Sequence, residues 1–319
     1  MVNKPFNASS GSAYPDLDLV RLTLAHLVDP AEIAGYIARV LANTPFVADR
    51  ILAGRQSNAL GVFPIRKFQT LDVTGETEVV APLAEYPLAQ VGGATVSALP
   101  GSKEGFKTTI SDEVAGQNDG RDAVNALNSL LNKIRIQSEA AAMQVIKSAV
   151  AAKEDEDKVP TFDAGKWTSI SELVVGLMDA QTAMEQNNKG FNPTLFVLSP
   201  NQYSKVIGMT MQANRIGTVQ EAERLIASSG IPTPIRVKNL GNDWKPLLID
   251  PQFFGTIGHW VIPSPEYTPV AGTTIEVASN RAKSSDGAPL DGTVIQIRKT
   301  DTPYVEMPDA ALSLEVAWS

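Results

Sequence analysis

Residues Asp119–Lys153, DGRDAVNALNSLLNKIRIQSEAAAMQVIKSAVAAK, decide how the rest of the 319-residue chain is read. The stretch holds no proline, and beyond Gly120 it consists largely of good helix formers. Asn118 or Asp119 can cap its start, and Asp122 places negative charge in the first turn, where the helix dipole favours it. Apolar or small residues at Val124, Leu127, Leu131, Ile134, Ala141, Val145 and Ala149 mark one buried face. A helix over 119–153 would be about 50 Å long, several times the usual length. It lacks a heptad seam with flanking charge pairs, so it reads as a strut carrying other elements and not as a coiled coil.

The composition bounds what such a chain can do. At 319 residues it can bury a large core in two or three domains. Twenty-one prolines and 23 glycines point to many turns and extended connections. A net charge of −8 argues against a dedicated nucleic-acid binder. The absence of cysteine excludes disulfides and thiolate chemistry and fits assembly in a reducing cytoplasm. The N-terminus lacks the apolar core of a signal peptide, and no apolar run approaches the ~20 residues of a membrane span.

Outward from the long helix, residues 1 to about 20 read as an extended arm ordered against something else. Asp29-Pro30-Ala31-Glu32 is a helix start, with Asp29 as cap, Pro30 first in the helix and Glu32 closing a capping box. Ile33, Tyr36, Ile37, Val40 and Leu41 form its apolar face, and Pro45 marks the stop. Ala59–Ile65 reads as a short strand. Residues 66–114 alternate β-like runs with turns, at Leu71–Thr74, Thr77–Val80, Ala94–Ala98 and Phe106–Ile110. Gly92-Gly93 and Pro100-Gly101 are expected to reverse the chain, making a two-stranded excursion that must rest on a neighbour.

Beyond the helix, residues 165–268 follow an α/β pattern. Ser169–Glu172 opens a helix reaching about Asn187, Thr194–Leu198 is a buried-type strand, and Ser199-Pro200-Asn201-Gln202 starts a second helix. Thr218–Glu221 starts a third, closed by Gly230. Strands are expected at Ile235–Lys238, Leu247–Ile249 and Thr256–Ile262, then Thr274–Ser279, Thr293–Lys299 and a last apolar stretch Ala310–Trp318. Strands alternating with helices give a small sheet with helices on its faces.

The chain offers little chemistry. His26 and His259 lie far apart without partners at metal-ligand spacing, and His259 reads as a packed or edge residue of a strand. Nucleophile elbow, zinc-protease, phosphate-loop and dinucleotide signatures are all missing. The acidic run at 153–158 lacks the ligand spacing and glycine of a calcium loop and reads as a solvated turn. Asn7-Ala8-Ser9 matches a glycosylation sequon, which is idle without a secretory signal. The expectation is no enzyme, with no catalytic, cofactor-binding or metal-binding residues.

The order of elements resembles that of the major capsid proteins of tailed bacteriophages, the Hong Kong 97-type capsid fold. Three stretches carry the resemblance at residue level. Ala84-Glu85-Tyr86-Pro87-Leu88 is similar to a segment of that family's extended loop. Gly105-Phe106-Lys107-Thr108-Thr109-Ile110-Ser111-Asp112-Glu113 is similar to the strand leading into its long helix. Leu195–Ser199 with Pro200-Asn201-Gln202-Tyr203 is similar to a strand and helix start of its axial domain. The resemblance implies an α+β fold with an N-terminal arm and short helix at 1–45 and an extended β-hairpin loop at 66–114. It implies a peripheral domain at 46–65 and 115–164 that holds the spine helix 119–153, an α/β axial domain at 165–268, and a return to the peripheral domain at 269–319.

It also implies self-assembly through hexamers and pentamers into an icosahedral virion capsid around double-stranded DNA, formed in the bacterial host cytoplasm. Encapsulin-type shells around cargo enzymes share the fold and remain the alternative. The implied partners are other copies of the chain, a separate scaffolding protein, a portal protein, possible decoration proteins and packaged DNA touched without sequence preference, with no membrane. Met1 lies close to the arm, leaving no room for a built-in scaffolding segment. The arm and the polar side of the long helix, with Arg121, Lys133, Arg135 and Lys147, are the candidate scaffold contacts, and solvated charges on an exposed face are the alternative reading of these four cations. In the type member of the family a loop lysine is joined to a neighbour's asparagine with help from a glutamate. Lys103 and Lys107 are the candidate lysines here and Asn280 the candidate asparagine, but no motif ties them to the reaction, and no crosslink is expected.

Overall fold

A computed structural model describes residues 29–43, 46–68, 73–74, 90–91, 94–113, 121–152, 158–186, 190–228, 230–238, 240–241, 243–271 and 273–318. Several expectations lie outside these residues: the arm before residue 29 with His26, the cap of the long helix at 118–120, the Ala84–Leu88 segment, the strand at 77–80 and most of the acidic run. The described chain divides into two compact units.

One unit draws on residues up to 45, 105–132 and 264–298. Helix α1 (Pro30–Asn43) starts where Asp29 Oδ1 accepts the Ala31 N–H at 2.9 Å, with Pro30 first in the helix. Its expected face, Ile33, Tyr36, Ile37, Val40 and Leu41, is buried. The unit's sheet has the order β12 (Thr268–Pro269), β13 (Ile275–Lys283), β14 (Pro289–Lys299), β6 (Glu104–Ser111). The chain therefore does not fold back at Pro100-Gly101 to pair Phe106–Ile110 with the preceding strand; that segment joins β14 instead. Helix α1 packs on β12 and β13. Arg298, nearly buried, pairs with Glu276 and stacks 3.7 Å from the centroid of the Tyr267 ring. Arg281 grips Asp112 through two hydrogen bonds of 2.8 and 2.6 Å.

The other unit comprises residues 46–104, 133–263 and 299–319. After the short helix α2 (Val47–Ile51) comes a three-stranded sheet, β1 (Gly54–Asn58), β11 (Gly255–Trp260), β15 (Asp301–Val305), parallel across β1–β11 and antiparallel across β11–β15. Its five-stranded sheet runs β7 (Thr161–Trp167), β16 (Ala311–Trp318), β10 (Leu247–Ile249), β8 (Leu195–Leu198), β9 (Thr233–Arg236). Helices α4 (Ile170–Gln186), α5 (Pro200–Asn214) and α6 (Val219–Ser228) accompany it. The caps are those read from the sequence. Ser169 and Glu172 exchange bonds at α4, and Ser199 and Gln202 form a full capping box at α5. Trp167 anchors the core edge-on to Phe196 and Trp318, with ring centroids 6.0 and 5.2 Å away.

Helix α3 (Arg121–Val150) contributes its first turns to one unit and the remainder to the other. Its 30 residues make it about 45 Å long, and it ends at Val150, before the expected end at 153; the expected start at 119–120 lies outside the described residues. Val124, Leu127, Leu131 and Ile134 are buried as expected, but the seam then continues through Ala142, Met143 and Ile146, with Ala141, Val145 and Ala149 only half-buried. A period of 3.6 carried on from Val124 falls at 142 and 146, and the expected seam slipped one position after Ile134.

Other corrections concern register and membership. The strand expected at 59–65 is β2 (Val62–Phe68), and β1 before it carried no apolar signal because its GRQSN side chains alternate between half-buried and exposed. The strand expected at 235–238 lies two residues earlier, as β9. The reversal expected at Gly92-Gly93 lies outside the described residues. Strand β2 pairs antiparallel with β5 (Ala94–Pro100), and β3 (Val73–Thr74) with β4 (Gln90–Val91). The last strand, grouped at the sequence level with the returning segment 269–319, is threaded between β7 and β10 of the five-stranded sheet. Ala311, Leu312, Ser313 and Leu314 at its start are all buried.

Candidate assembly surfaces

The β2–β5 ribbon is the most informative surface. Alternation puts Phe63 and Ile65 on one face, where they are buried with Tyr304, Leu99 and Trp260. The opposite face carries Val62, Pro64, Val96, Ala98 and Pro100, all exposed, with cross-strand pairs Val62↔Pro100 and Pro64↔Ala98. Val62 is 44% exposed and Val96 61%, and Leu60 beside them is 85% exposed. A ribbon apolar on both faces is covered on only one of them by the described residues.

The root of the ribbon is fixed by close approach. A Cβ at Gly258 would come within 2.7 Å of the Phe63 ring, and one at Gly61 would meet Trp260 at 2.7 Å, where φ is also +69°. The Gly101 N–H donates to the Gly61 carbonyl at 2.7 Å, Trp260 Nε1 donates to the Ala59 carbonyl, and Ser102 N–H donates to Thr302 Oγ1 at 2.8 Å. Glycine at 258 and 61 lets the ribbon sit directly on β11.

Polar groups cluster at the β11–β15 register. His259 faces Asp301 across the strands, its Nδ1 3.4 Å from Oδ1, and Asp301 Oδ2 lies 3.0 Å from Lys299 Nζ. Lys299 Nζ also sits 4.2 Å from the centroid of the Phe46 ring. Asp301 is thus ion-paired with Lys299 and lies beside His259 in a nearly closed setting, an arrangement that ties the strand ends together. His259 lies on the central strand of its sheet, so it is packed and not at an edge. Burial and the Glu223 carboxylate push the Tyr203 phenol up to about 12, and burial with Glu306 does the same to Tyr304. Both stay neutral donors, to Glu223 at 2.5 Å and Gln56 at 2.7 Å.

Among the described residues, no group of three or more His, Asp or Glu side chains is arranged to hold a metal ion, and no helix is long and apolar enough to cross a membrane. Of the cations expected to receive a scaffold, Arg135 is turned toward the nearly buried Glu139 at 3.3 Å, which also accepts the Val47 N–H. Lys103, Lys107 and Asn280 are all exposed. Two further exposed surfaces lay hidden in the sequence: Val175 and Met178 on α4, and a groove beside β9 lined by Tyr203, Arg224, Ala227 and Pro234. Alternation of apolar residues on both faces of VFPIRKF and ATVSALP was the available signal for the ribbon; α4 gave none beyond an apolar excess.

A family model described as phage capsid protein matches residues 95–312. No curated protein sequence matches the chain. The fold is similar to that of a chain in the capsid of a native GTA particle, with 16% identity, a TM-score of 0.54, and coverage of 85% of this chain and 90% of that one. It is similar to the virus-like particle from Pyrococcus furiosus, with 12% identity, a TM-score of 0.52, and coverage of 92% and 99%. It is also similar to the capsid of the cyanophage P-SCSP1u, with 15% identity, a TM-score of 0.51, and coverage of 83% and 86%. At these identities the likeness is one of fold.

Proposed function

The chain belongs to the phage capsid protein family, and on that premise we propose that it is the major shell subunit, whose copies group into hexamers and pentamers and close an icosahedral capsid around double-stranded DNA. The observation that carries this reading is the outer face of the β2–β5 ribbon, apolar and uncovered by the described residues. A neighbouring copy is its natural cover, because a closed shell repeats the same unlike-surface contact around every symmetry axis. The role is structural and not enzymatic.

We assign the β2–β5 ribbon, with β3 and β4, to the extended loop, α3 to the spine, and the five-stranded sheet with α4, α5 and α6 to the axial domain. The four-stranded sheet with α1 is assigned to the arm and peripheral domain. The net charge of −8 suits a container that holds its DNA loosely, since each phosphate neutralised by a basic side chain would add salt-sensitive affinity. A scaffolding protein sets curvature during assembly in the host cytoplasm, because one subunit contact alone does not fix the ratio of hexamers to pentamers; portal and decoration proteins complete the partners. Negative-stain microscopy of the purified chain, alone and with candidate scaffolds from the same genome, tests this. Closed particles large enough for a genome are expected with the scaffold, and tubes, aberrant shells or free rings without it. Small uniform shells filled with protein would favour a cargo compartment, and a chain that stays monomeric under both conditions would overturn the reading.

A further inference from the structure

We propose that the short helix α2 is a strap tightened by proton uptake: the carboxylates of Asp49, Glu139 and Asp301 gather at its seat, and a proton taken up at Asp49 firms α2 against α3 and β15. The device belongs to the folded subunit and is independent of what its copies build.

Helix α2 is seated by charge as much as by packing. Ala48 and Ile51 are buried in the core that also holds Met143 and Ile146 of α3. At the start of the helix the Val47 N–H donates to Glu139 Oε1 at 3.4 Å, and the Phe46 ring centroid lies 4.2 Å from Lys299 Nζ. Ala48 shares a small cavity with Ser138 and Ala142 of α3 and with Lys299 and Asp301. Asp49 therefore stands at the edge of a crowded charge cluster, with Arg55, Lys299, Asp301 and Glu139 as its charged neighbours.

The cations of this cluster are committed elsewhere. Asp301 takes Lys299 at 3.0 Å and faces His259 at 3.4 Å, and Glu139 takes Arg135 at 3.3 Å. Glu104 adds a fourth carboxylate at the same cavity, and Arg50 on α2 is exposed. Asp49 is left with Arg55, 3.3 Å away and 46% exposed, whose guanidinium also donates to the carbonyls of Leu52, Gly54 and Asp49 itself. An ion pair so open to water and so divided returns little for holding a third carboxylate beside Glu139 and Asp301. Burial pushes the Asp49 carboxyl up from its ordinary range, against the pull of Arg55 and Lys299 and with Asp301 and Glu139 adding to it. A carboxyl raised in the folded chain binds its proton more tightly there than in the unfolded chain. The stability it contributes is fully present below the ordinary carboxylate range and is lost as pH rises through the raised value.

Asp49→Asn fixes the neutral form with little change of side-chain shape. In the full-length unassembled chain, hydrogen exchange over residues 46–53, corrected for the intrinsic pH dependence of exchange, reads the seat of α2, and thermal unfolding reads the subunit. Near neutral pH the variant should exchange several-fold more slowly over this segment than the wild type and unfold at a higher temperature. On acidification the wild type should approach the variant, and the two should coincide below the carboxylate range. A first-turn acid that simply stabilises its helix and pairs with Arg55 gives the opposite order, with the variant exchanging faster and unfolding earlier near neutrality. That result, a variant that fails to fold, a difference that does not shrink on acidification, or two chains that behave alike at every pH would each overturn the proposal.

Discussion

Replacing Val96 by aspartate separates what the ribbon owes to its own chain from what it owes to a neighbour. Val96 stands on the outer face at 61% exposure, so in the isolated subunit its side chain is mostly in water already. Surface substitutions of this kind shift stability by roughly 0.5 kcal/mol, with up to about 1 kcal/mol more from weaker β-propensity. In an assembled shell the arithmetic changes. Full burial of a valine is worth about 1.5–3 kcal/mol, so covering the exposed three-fifths contributes roughly 1–2 kcal/mol per contact. A carboxylate forced into the same dry contact without a partner adds a penalty of several kcal/mol. The sum, about 4 kcal/mol or more, weakens each contact by roughly a thousandfold at 1.4 kcal/mol per decade. Sedimentation of the wild type and Val96→Asp, beside thermal unfolding of their unassembled fractions, reads the two effects separately. The expected outcome is an almost unchanged unfolding midpoint with loss of fast-sedimenting particles. Particles at wild-type yield would refute the claim that a neighbour covers this face, and an unfolded Val96→Asp would mean the face is internal to the chain.

Ile134, 3% exposed on α3, should not tolerate a charge: Ile134→Asp buries an unpaired carboxylate, costs more than about 4 kcal/mol, and should abolish soluble folded protein by circular dichroism. The bidentate Arg281 holds the Asp112 carboxyl below its usual range, so that pair adds stability above the carboxyl's unfolded pKa and loses it as pH falls through the lowered folded value. Arg281→Gln should therefore lower stability slightly near neutrality and flatten the loss on acidification, and an unchanged acid limb in urea titrations would contradict the assignment. Particles boiled in detergent should run as one band near the 34.1 kDa chain mass, because nothing ties Lys103, Lys107 and Asn280 to bond formation; covalent rings would reverse that expectation.

The local signals in the sequence were strong where a side chain speaks to its own backbone. The caps at Asp29, Ser169 and Ser199 and the long proline-free helix all formed where these residues placed them. Long-range placement was not legible. Nothing in Ala311–Trp318 distinguishes an edge strand from one inserted between β7 and β10, since both read as a continuous apolar run. Pro100-Gly101 carries a turn composition, yet the strand after it, β6, joins β14 and does not pair back onto β5. The α3 seam slipped after Ile134 because alanines at 140–142 give the period no contrast, and the packing of Ala142, Met143 and Ile146 into the α/β core decided the phase. The exposed faces were least legible of all, because Val62, Val96, Val175 and Met178 have the composition of core residues and only burial shows that the described residues leave them uncovered.

Electron cryomicroscopy of the assembled particle tests the central claim most directly. The account predicts a closed icosahedral shell in which the outer face of each β2–β5 ribbon, with Val62 and Val96, lies against a neighbouring copy. A closed shell whose ribbons stand in solvent, or an assembly with no closed symmetry, would contradict it.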